Sequence, residues 1–460
     1  MRRILFCCFL ISACTVGPDF EKKDVFEDAQ IAQTLKLTGK SLKISQKWYQ
    51  DFHDETLNFL IAEAISANTD ILIAIERLKQ ARSAAQIAKA EYLPMLNLKT
   101  GYDYTKASKN IGLTADTDYY LLGFDANWEL DIWGKGRRLN QQKKAEFDAA
   151  YYTLQNIKNV ITSEVASTYF TLLTMEQKRK ISVKNLQLQK DIFKTIDEKY
   201  QAGLADESAY RQASYLVEKT KAVIPQLEAQ IKAQKNALNT LLGQLDFSFK
   251  LDDHIIQNAA NYKIQNLLDL PSNIIRTRPD IKAAEKALVS QNAAIGQAVA
   301  ALYPNISLSG LFGFQASNLS DLVKSSSKAY GYTPTAVMPL FYWGQLKNAI
   351  KLEEEKTNEA FQNYRKTLLS GIEELSNAIT SLQKEYISNL AYKNAFYNMQ
   401  RAFLTMREKY DNGLIEYASL LEVQQDLLNS QISLAESNGA ILNKIIAFYK
   451  ATGGGYNDDE

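Results

Sequence analysis

The stretch KYQAGL at residues 199–204 returns as KYDNGL at residues 409–414, an offset of 210 residues. Three further features recur at the same offset. They are Asn-Thr-Asp-Ile ending at Ile71 against Arg-Pro-Asp-Ile ending at Ile281, Pro94 against Pro304, and Trp133-Gly134 against Trp343-Gly344. Chance can give one such match, but not four without a net insertion. The chain is therefore two copies of one long unit, and its function is expected to lie in what the two copies build together.

Each copy contains a segment typical of one very long helix. Residues 136–198 contain no proline and no internal glycine, which predicts a helix of about 95 Å. One buried stripe is marked by apolar residues at steps of three and four, namely Phe147, Ala150, Leu154, Ile157, Ile161, Val165 and Leu172. Residues 344–408 are likewise free of proline. Such a helix cannot form a core alone and needs neighbours of similar length.

A turn and a second helix follow each long segment. Gly203 and Gly413 come just after a Lys-Tyr pair, which is a signal for a helix carboxyl end. Further helices are predicted over residues 206–242 and 416–449, so each copy holds a helical hairpin. Pro225 lies inside the first of these helices and predicts a kink.

The segments before the two Trp-Gly pairs predict β-hairpins. Apolar and polar residues alternate from Tyr120 to Glu129, and a partner strand lies around Leu98 to Tyr104. In the second copy the alternation runs from Ile306 to Phe314, and a less regular fourth strand is predicted from Tyr330 to Phe341. Four strands cannot close a barrel, and an open sheet edge cannot sit in lipid. If these strands enter a membrane, several chains must share one barrel.

After the amino terminus no segment offers eighteen apolar residues in a row, which predicts no transmembrane helix and leaves a β-barrel as the way to span a membrane. The fold class predicted is mixed and mainly α. It consists of a long α-helical barrel and a membrane β-barrel shared by a trimer, with four strands per chain and a two-fold internal repeat.

The amino terminus reads as a secretory signal that ends in a lipidation site. Two arginines precede an apolar run from Ile4 to Ile11, and Ser12-Ala13-Cys14 follows. Ile11 to Cys14 resembles a bacterial lipobox, in which Cys14 becomes the lipidated first residue. The alternative is an ordinary signal peptide with an incidental cysteine. Thr15 stands where aspartate usually retains lipoproteins at the inner membrane, so the resemblance points to the outer membrane.

Composition narrows the function classes. Lys and Arg number 53 against 52 Asp and Glu, so no nucleic-acid-binding face is expected. Two histidines, and cysteines confined to the first fourteen residues, predict no metal site. The chain lacks Gly-x-Ser-x-Gly and any phosphate-cradling loop, and an enzyme is therefore disfavoured. The predicted division is signal peptide 1–13, lipidated extended segment 14–54, first repeat 55–243, linker 244–277, second repeat 278–453 and tail 454–460.

Several motifs in this order resemble the TolC-like outer membrane factors, in the lipidated branch that works with resistance-nodulation-division efflux pumps. They are Cys14 to Phe20, Trp48-Tyr49-x-x-Phe52, Trp128 to Gly134, Leu270-Pro271-Ser272, Arg278-Pro279-Asp280 and Tyr449 to Gly455. The resemblance covers the whole chain. It implies a homotrimer in the outer membrane of a Gram-negative bacterium, with a shared twelve-stranded barrel and a helical tunnel through the periplasm. It also implies a periplasmic adaptor and an inner-membrane pump as partners, and no cofactor apart from a covalent lipid on Cys14.

The same resemblance implies a periplasmic gate. Glu422 matches the place where family members carry an acidic residue facing the closed pore, with Tyr417 and Ala418 beside it. The first copy has Gln212 at that place. Three symmetry-related carboxylates would converge and attract cations. The alternative is a plain solvated helix glutamate.

Two further sets of residues carry a structural alternative beside the implied role. The resemblance implies that the hairpin tips meet the adaptor, and the alternative is that they are ordinary turns. The tip residues are Gly203, Leu204, Gly413 and Leu414. Trp133, Gly134, Trp343 and Gly344 form strand–helix junctions, with tryptophan for packing or an interfacial belt and glycine for an unusual backbone angle. Arg278-Pro279-Asp280 predicts a helix start rather than a ligand site.

The function predicted is the exit duct of a tripartite efflux system that passes small molecules such as drugs to the exterior. Three alternatives remain at this point. They are an exit duct for protein secretion, a duct for metal-ion efflux, and a non-transporting coiled-coil lipoprotein scaffold. The scaffold leaves the paired alternating strands unexplained. The sequence does not identify the substrate, because the pump selects it.

Overall fold

The computed structural model describes residues 15–22, 25–38, 44–106, 108, 110, 116–251, 254–262, 269–271 and 273–456. The predicted signal peptide and lipidation site, Cys14 included, lie outside the described residues. The described part is mainly helical, with one sheet of four antiparallel strands.

Six of the described helices form three pairs of equal length. The described helices are α1 Asp28–Leu35, α2 Glu55–Ala67, α3 Thr69–Ala90, α4 Lys135–Gln201, α5 Glu207–Leu241, α6 His254–Gln257, α7 Pro279–Ala300, α8 Gln345–Asp411 and α9 Tyr417–Ala451. Both α3 and α7 have 22 residues, α4 and α8 have 67, and α5 and α9 have 35. The internal repeat is confirmed. Helix α5 runs on through Pro225, and the predicted kink stays a prediction.

The sheet repeats the same offset in its register. Its strands are β1 Met95–Thr105, β2 Thr117–Glu129, β3 Asn305–Ala316 and β4 Lys328–Val337, adjacent in chain order. Met95 lies opposite Asn127 in the first hairpin, and Asn305 lies opposite Val337 in the second. Each of these pairs is carried onto the other by a shift of 210 residues. Each copy therefore holds a helix, a β-hairpin and a helical hairpin, as predicted.

The fourth strand differs from its predicted range of 330–341. It begins two residues earlier, at Lys328, and ends at Val337, before Pro339. Proline has no N–H to donate to a strand ladder, so pairing stops ahead of it. Pro334 is accommodated inside β4 because β4 is an edge strand.

The chain folds as two compact units, and it passes between them within α3, α4, α7 and α8. One unit contains the sheet, residues 15–22 and the adjoining parts of those helices. The other contains α1, α2, α5, α6, α9 and the remaining parts of the long helices. In the second unit aromatic rings fill the core: Trp48 stacks on Tyr449 at 5.0 Å, and Phe52 meets Phe170 at 4.9 Å between ring centroids.

By length and composition, none of the described helices alone suffices to cross a membrane. The bent pair of α2 and α3, with 42° between them, passes that test together.

In each repeat, the residue just before the 22-residue helix donates a side-chain hydrogen bond to the last residue of the returning helix. The buried Asn68 amide donates from Nδ2 to the carbonyl of Leu241 at 2.8 Å, and Arg278 donates from Nη1 to the carbonyl of Ala451 at 2.8 Å. Donors and acceptors are both 210 residues apart. We call these two bonds the repeat ties.

A glycine follows each repeat tie. Gly243 and Gly453 have φ of +66° and +82°, and a Cβ on Gly243 would lie 2.5 Å from the carbonyl oxygen of Ala67. A Cβ on Gly453 would lie 3.2 Å from the Cα of Arg278. Only glycine combines this backbone conformation with so close an approach in the first copy.

We expect Asn68→Ala to lower the free energy of unfolding by about 1–3 kcal/mol. The substitution removes the donor to Leu241 and the side-chain oxygen that accepts from the N–H groups of Asp70 and Ile71. Thermal unfolding followed by the circular dichroism of the helices measures the change. Asn358→Ala, on an exposed helix surface, is the control and should shift the transition little. If the two variants unfold at the same temperature, the repeat tie at Asn68 does not stabilise the fold.

Candidate functional site at the helical hairpin tips

Both helical hairpins turn with the same backbone geometry. The N–H of Gly203 donates to the carbonyl of Tyr200 at 2.9 Å, and the N–H of Leu204 donates to the carbonyl of Lys199 at 2.8 Å. The second turn repeats both bonds at Gly413 and Leu414, at 2.9 Å each. This is the Schellman arrangement, in which a left-handed residue ends the helix, and the two glycines have φ of +73° and +74°.

The tips present apolar side chains to solvent. Leu204 is 78% exposed and Leu414 is 72% exposed. A Cβ on Gly203 or Gly413 would meet nothing within 4 Å. In the single chain, the exposed leucine side chains at the two turns are therefore available to contact a partner protein.

Tyr417, the first residue of α9, is buried against the other hairpin. It is 7% exposed and lies in one cluster with Ile196 of α4 and Ala213 of α5. Burial raises the pKa of the Tyr417 phenol to about 12, with a contribution from the nearby Tyr410. The phenol is therefore neutral at physiological pH.

A second contact joins the two hairpins close to their turns. The ammonium of Lys199 lies 4.9 Å from the centre of the Tyr410 ring, a cation–π distance. Tyr410 in turn meets Tyr417 edge-on at 5.9 Å between ring centroids. Separating the two hairpins at this end would break these contacts and expose Tyr417.

Glu422 lies on the opposite face of α9 from the buried residues. It is exposed, as is Ala418 one turn before it, whereas Leu420 and Gln424 are buried. Among the residues that the structure describes, no cation pairs with the Glu422 carboxylate. The counterparts in the first copy are Gln212 and Ser208, which bond to each other at 3.2 Å. Alanine at 418 has no hydroxyl, so Glu422 has no such local partner.

The amino ends of the two returning helices differ in their capping. The Asp206 carboxylate accepts a hydrogen bond from the N–H of Ala209 at 2.7 Å and caps α5. Glu416 occupies the same place before α9, and its side chain makes no capping bond. A capping side chain contributes about 1 kcal/mol, so the second hairpin is held less firmly at its turn.

Two buried glutamines near the tips were not predicted from the sequence. Gln424 is fully buried on α9, and Gln189 on α4 is 3% exposed. Both amides lack a hydrogen-bond partner among the described atoms. Glutamine is usually a surface residue, and only its spacing from Leu420 and Leu427 on the buried face of α9 signals the position of Gln424.

The Trp-Gly pairs lie between strand and helix in both copies, but their surroundings differ. The indole of Trp133 donates to the carbonyl of Pro304 at 2.8 Å and stacks on Tyr303 at 4.8 Å. Trp343 is 87% exposed. Gly134 and Gly344 both have φ of +82°.

The predicted site residues thus fall into two groups. Tyr417, Ala418 and Glu422 lie on the first turns of α9, in the same unit as the tip residues at 203–204 and 413–414. The tryptophan–glycine junctions belong to the other unit. Arg278-Pro279-Asp280 begins α7, as predicted, and Arg278 makes the second repeat tie. Within the described ranges, no group of three or more His, Cys, Asp or Glu side chains is placed to hold a metal ion.

Comparison with known proteins identifies relatives over nearly the whole chain. The solvent efflux pump outer membrane protein SrpC of Pseudomonas putida is 26% identical over 462 residues, covering 98% of each chain. The cation efflux system protein CusC of Escherichia coli K12 is 25% identical over 454 residues, again covering 98% of each. The solved structure of the outer-membrane channel OprN has a TM-score of 0.86 at 27% identity, and the match covers 96% of this chain and 100% of that one.

The family comparison matches twice along the chain. The description "outer membrane efflux protein" fits residues 60–244 and again residues 270–454. Both the starts and the ends of the two matches are 210 residues apart, which is the offset of the internal repeat. The chain belongs to the outer membrane efflux protein family.

Proposed function

We propose that this protein is the exit duct of a tripartite efflux system, passing small molecules such as drugs from an inner-membrane pump and the periplasm to the exterior. The observation that carries the proposal is the pairing of a four-stranded sheet, open at both edges, with two helical hairpins of equal length in a member of this family. The role proposed is transport without catalysis.

The open sheet supports assembly from several copies. All residues of β1 and nearly all of β4 are exposed in the single chain, and these are the two edge strands. An exposed edge offers unpaired N–H and C=O groups to another chain. We propose a homotrimer in which β4 of each copy pairs with β1 of the next, forming one closed sheet of twelve strands in the outer membrane.

The two tryptophan junctions support the same assembly. Trp133 finds its partners, Pro304 and Tyr303, on the second copy of the repeat. The residue 210 positions before Pro304 is Pro94, on the first copy. A neighbouring chain added at the open edge would therefore offer its Pro94 carbonyl to Trp343, which is exposed in the single chain.

The hairpin tips are the proposed periplasmic end of the duct. Three copies bring six similar turns together, each with an exposed leucine. We propose that these turns, at Gly203, Leu204, Gly413 and Leu414, meet a periplasmic adaptor that belongs to a resistance-nodulation-division system. Apolar side chains at repeated positions suit a partner that also presents repeated contacts.

Glu422, with Ala418 and Tyr417, is the proposed gate. The Glu422 carboxylate is exposed, and none of the cations in the described residues pairs with it. It lies on the hairpin whose returning helix has no side-chain cap. Three such carboxylates converging in a narrow aperture would attract cations and repel one another. Opening would pull α9 from its contact with α4 and α5 at Tyr417, and we propose that the adaptor and pump drive that step.

Cys14 is the proposed site of a covalent lipid, with Trp133 and Trp343 near the membrane boundary. Several acyl chains, at about 0.8 kcal/mol per buried methylene, anchor a protein firmly. The preference of tryptophan for membrane interfaces supports the placement of the junctions.

Metal-ion export is the second candidate function. It is favoured by the similarity to CusC, whose name describes a cation efflux system. The same channel architecture serves either cargo if the inner-membrane pump selects it.

Deletion of the gene should increase intracellular accumulation of a fluorescent efflux substrate and lower the inhibitory concentrations of hydrophobic drugs and bile salts. The reason is that export stops when the duct to the exterior is lost. Growth on a panel of drugs, bile salts and metal ions measures the change, with complementation as the control. Sensitivity to metal ions alone would favour the second candidate, and a deletion strain with unchanged sensitivity to the whole panel would contradict the efflux function.

We expect Trp343→Phe to weaken the trimer, because it removes an indole donor worth about 1 kcal/mol at each of three interfaces while keeping an apolar ring. Native mass spectrometry across a dilution series measures the trimer fraction. Leu319→Ala, in the loop between β3 and β4, is the control, because its side chain is 65% exposed and lies away from the junction. The interface is assigned wrongly if Trp343→Phe and Leu319→Ala dissociate alike, and a stable wild-type monomer would rule out the trimer itself.

Glu422→Gln should weaken block of the channel by divalent cations by about tenfold in planar-bilayer recordings, since three charges leave one aperture. The trimer should persist. Glu218→Gln removes a carboxylate from an exposed ion pair on α5 and should leave the block unchanged. Wild-type conductance and block in Glu422→Gln would make Glu422 an ordinary surface residue.

A further inference from the structure

Residues 15–22 lie against the strand–helix junction through a buried arginine. Arg138 on α4 is 2% exposed. It donates from Nε to the carbonyl of Val16 at 3.3 Å and from Nη2 to the carbonyl of Gly17 at 3.0 Å. The same Nη2 lies 2.9 Å from a carboxylate oxygen of Asp19, and Nη1 donates to Gln141 at 2.9 Å. Three of these four acceptors belong to residues 15–22, which we call the strap.

Close packing accompanies these bonds. A Cβ on Gly17, whose φ is +86°, would lie 2.5 Å from the Cα of Gly296 on α7. A Cβ on Gly296 would lie 2.7 Å from the side chain of Arg138. The strap, α7 and Arg138 therefore fit together only because both positions are glycine.

The first described residue of the strap lies at the junction itself. The N–H of Val16 donates to the carbonyl of Trp133 at 3.0 Å. The side chain of Thr15 covers Gly134, where an added Cβ would come within 2.6 Å of it. Cys14 directly precedes Thr15 in the sequence.

The internal repeat offers a comparison within the same chain. The positions 210 residues away from Arg138 and Gly296 are Asn348 and Gln86. Gln86 carries the Cβ that Gly296 must lack, and Asn348 carries no guanidinium. The strap occurs once per chain, and the arginine and the glycine that hold it also occur in one copy of the repeat. The departure from the repeat is therefore explained by contact with the strap rather than by the hairpin scaffold.

We propose that Arg138 is a positioning residue for the lipid anchor, locking the strap so that an acyl group on Cys14 enters the membrane beside the strand–helix junction. This rests on the lipidation of Cys14 proposed above. A free strap of eight residues would span up to about 28 Å, close to the thickness of the hydrocarbon core. With the strap locked, the lipid cannot move by that distance relative to the sheet. The bonds of Arg138 to the strap hold the lipid at one position relative to the sheet, and this position sets the depth of the sheet in the membrane.

The first test measures the strap in full-length protein in outer membrane vesicles. Residues 15–460 contain no cysteine, so Glu21→Cys introduces one thiol beside an acylated Cys14. A nitroxide there should be restrained, and it should tumble about tenfold faster in Arg138→Met, as a free terminus does. Gly17→Val releases the strap from its own side and should do the same if Arg138→Met fails to fold. Lys22→Met, which removes only the exposed pair with Glu285, should leave the nitroxide restrained.

The second test asks whether the lipid acts through the lock. Loss of the acyl group, by Cys14→Ser behind an ordinary signal peptide, should lower the temperature at which trimers dissociate in membranes. The same change should have no effect in the Arg138→Met or Gly17→Val background, which a double-mutant cycle detects. A merely structural role for Arg138 would leave the effect of the lipid the same in every background.

Two outcomes would overturn the proposal separately from the lipidation. They are an equally restrained nitroxide in Arg138→Met and Gly17→Val, and an effect of the lipid that is independent of both. Two labels per chain in the Glu21→Cys protein would mean that Cys14 is a free thiol. That result would remove the lipid anchor and with it this role for Arg138.

Discussion

The repeat ties fix where the returning helix of each hairpin can lie. A hairpin of one 67-residue helix and one 35-residue helix has its turn far from its base, and a slip of one helical turn at the base moves the tip by about 5.4 Å. Asn68 and Arg278 each bond to the last turn of the returning helix and prevent that slip. Because the helices have equal lengths in both copies, each turn lies at the same distance along the chain from its tie. The matching positions of the two tips follow from this constraint, and their similar geometry follows from the glycine in each turn.

The elements that local chemistry decides were predictable from the sequence. Helices α4 and α8 run where proline is absent, and the turns after them form where glycine can adopt positive φ. The offset of 210 residues also carried information that periodicity lacks, because it fixes the register of one β-hairpin once the other is known. The end of β4 was missed by four residues because apolar residues continue past Pro339, whereas the hydrogen-bond ladder does not.

Contacts between distant residues were not predictable in the same way. Arg138 follows another arginine at the start of a polar helix, and nothing nearby distinguishes the buried one from Arg137, which bonds to Asp131. The buried amides of Gln189 and Gln424 likewise look like surface residues in the sequence. The burial of Arg138 is explained by residues 15–22, which lie across from it and accept its hydrogen bonds. The predicted residues of the gate and tips all lie near the turns, and a glycine in the sequence indicates where each turn is.

The two copies are alike in helix length and in turn geometry. They differ in the cap of the returning helix, in the residue near the tip and in the contact with the strap. Asp206 caps one returning helix, whereas Glu416 leaves the other uncapped. Gln212 bonds to Ser208, whereas Glu422 faces solvent beside an alanine. Arg138 holds a strap that has no counterpart in the second copy. In the proposed trimer, a duplicated unit with no differences would give six equivalent hairpins, and none of them would move more easily than the others. The second hairpin lacks the side-chain cap, which contributes about 1 kcal/mol, and it carries Glu422, so we expect the proposed opening to cost less there than in the first hairpin.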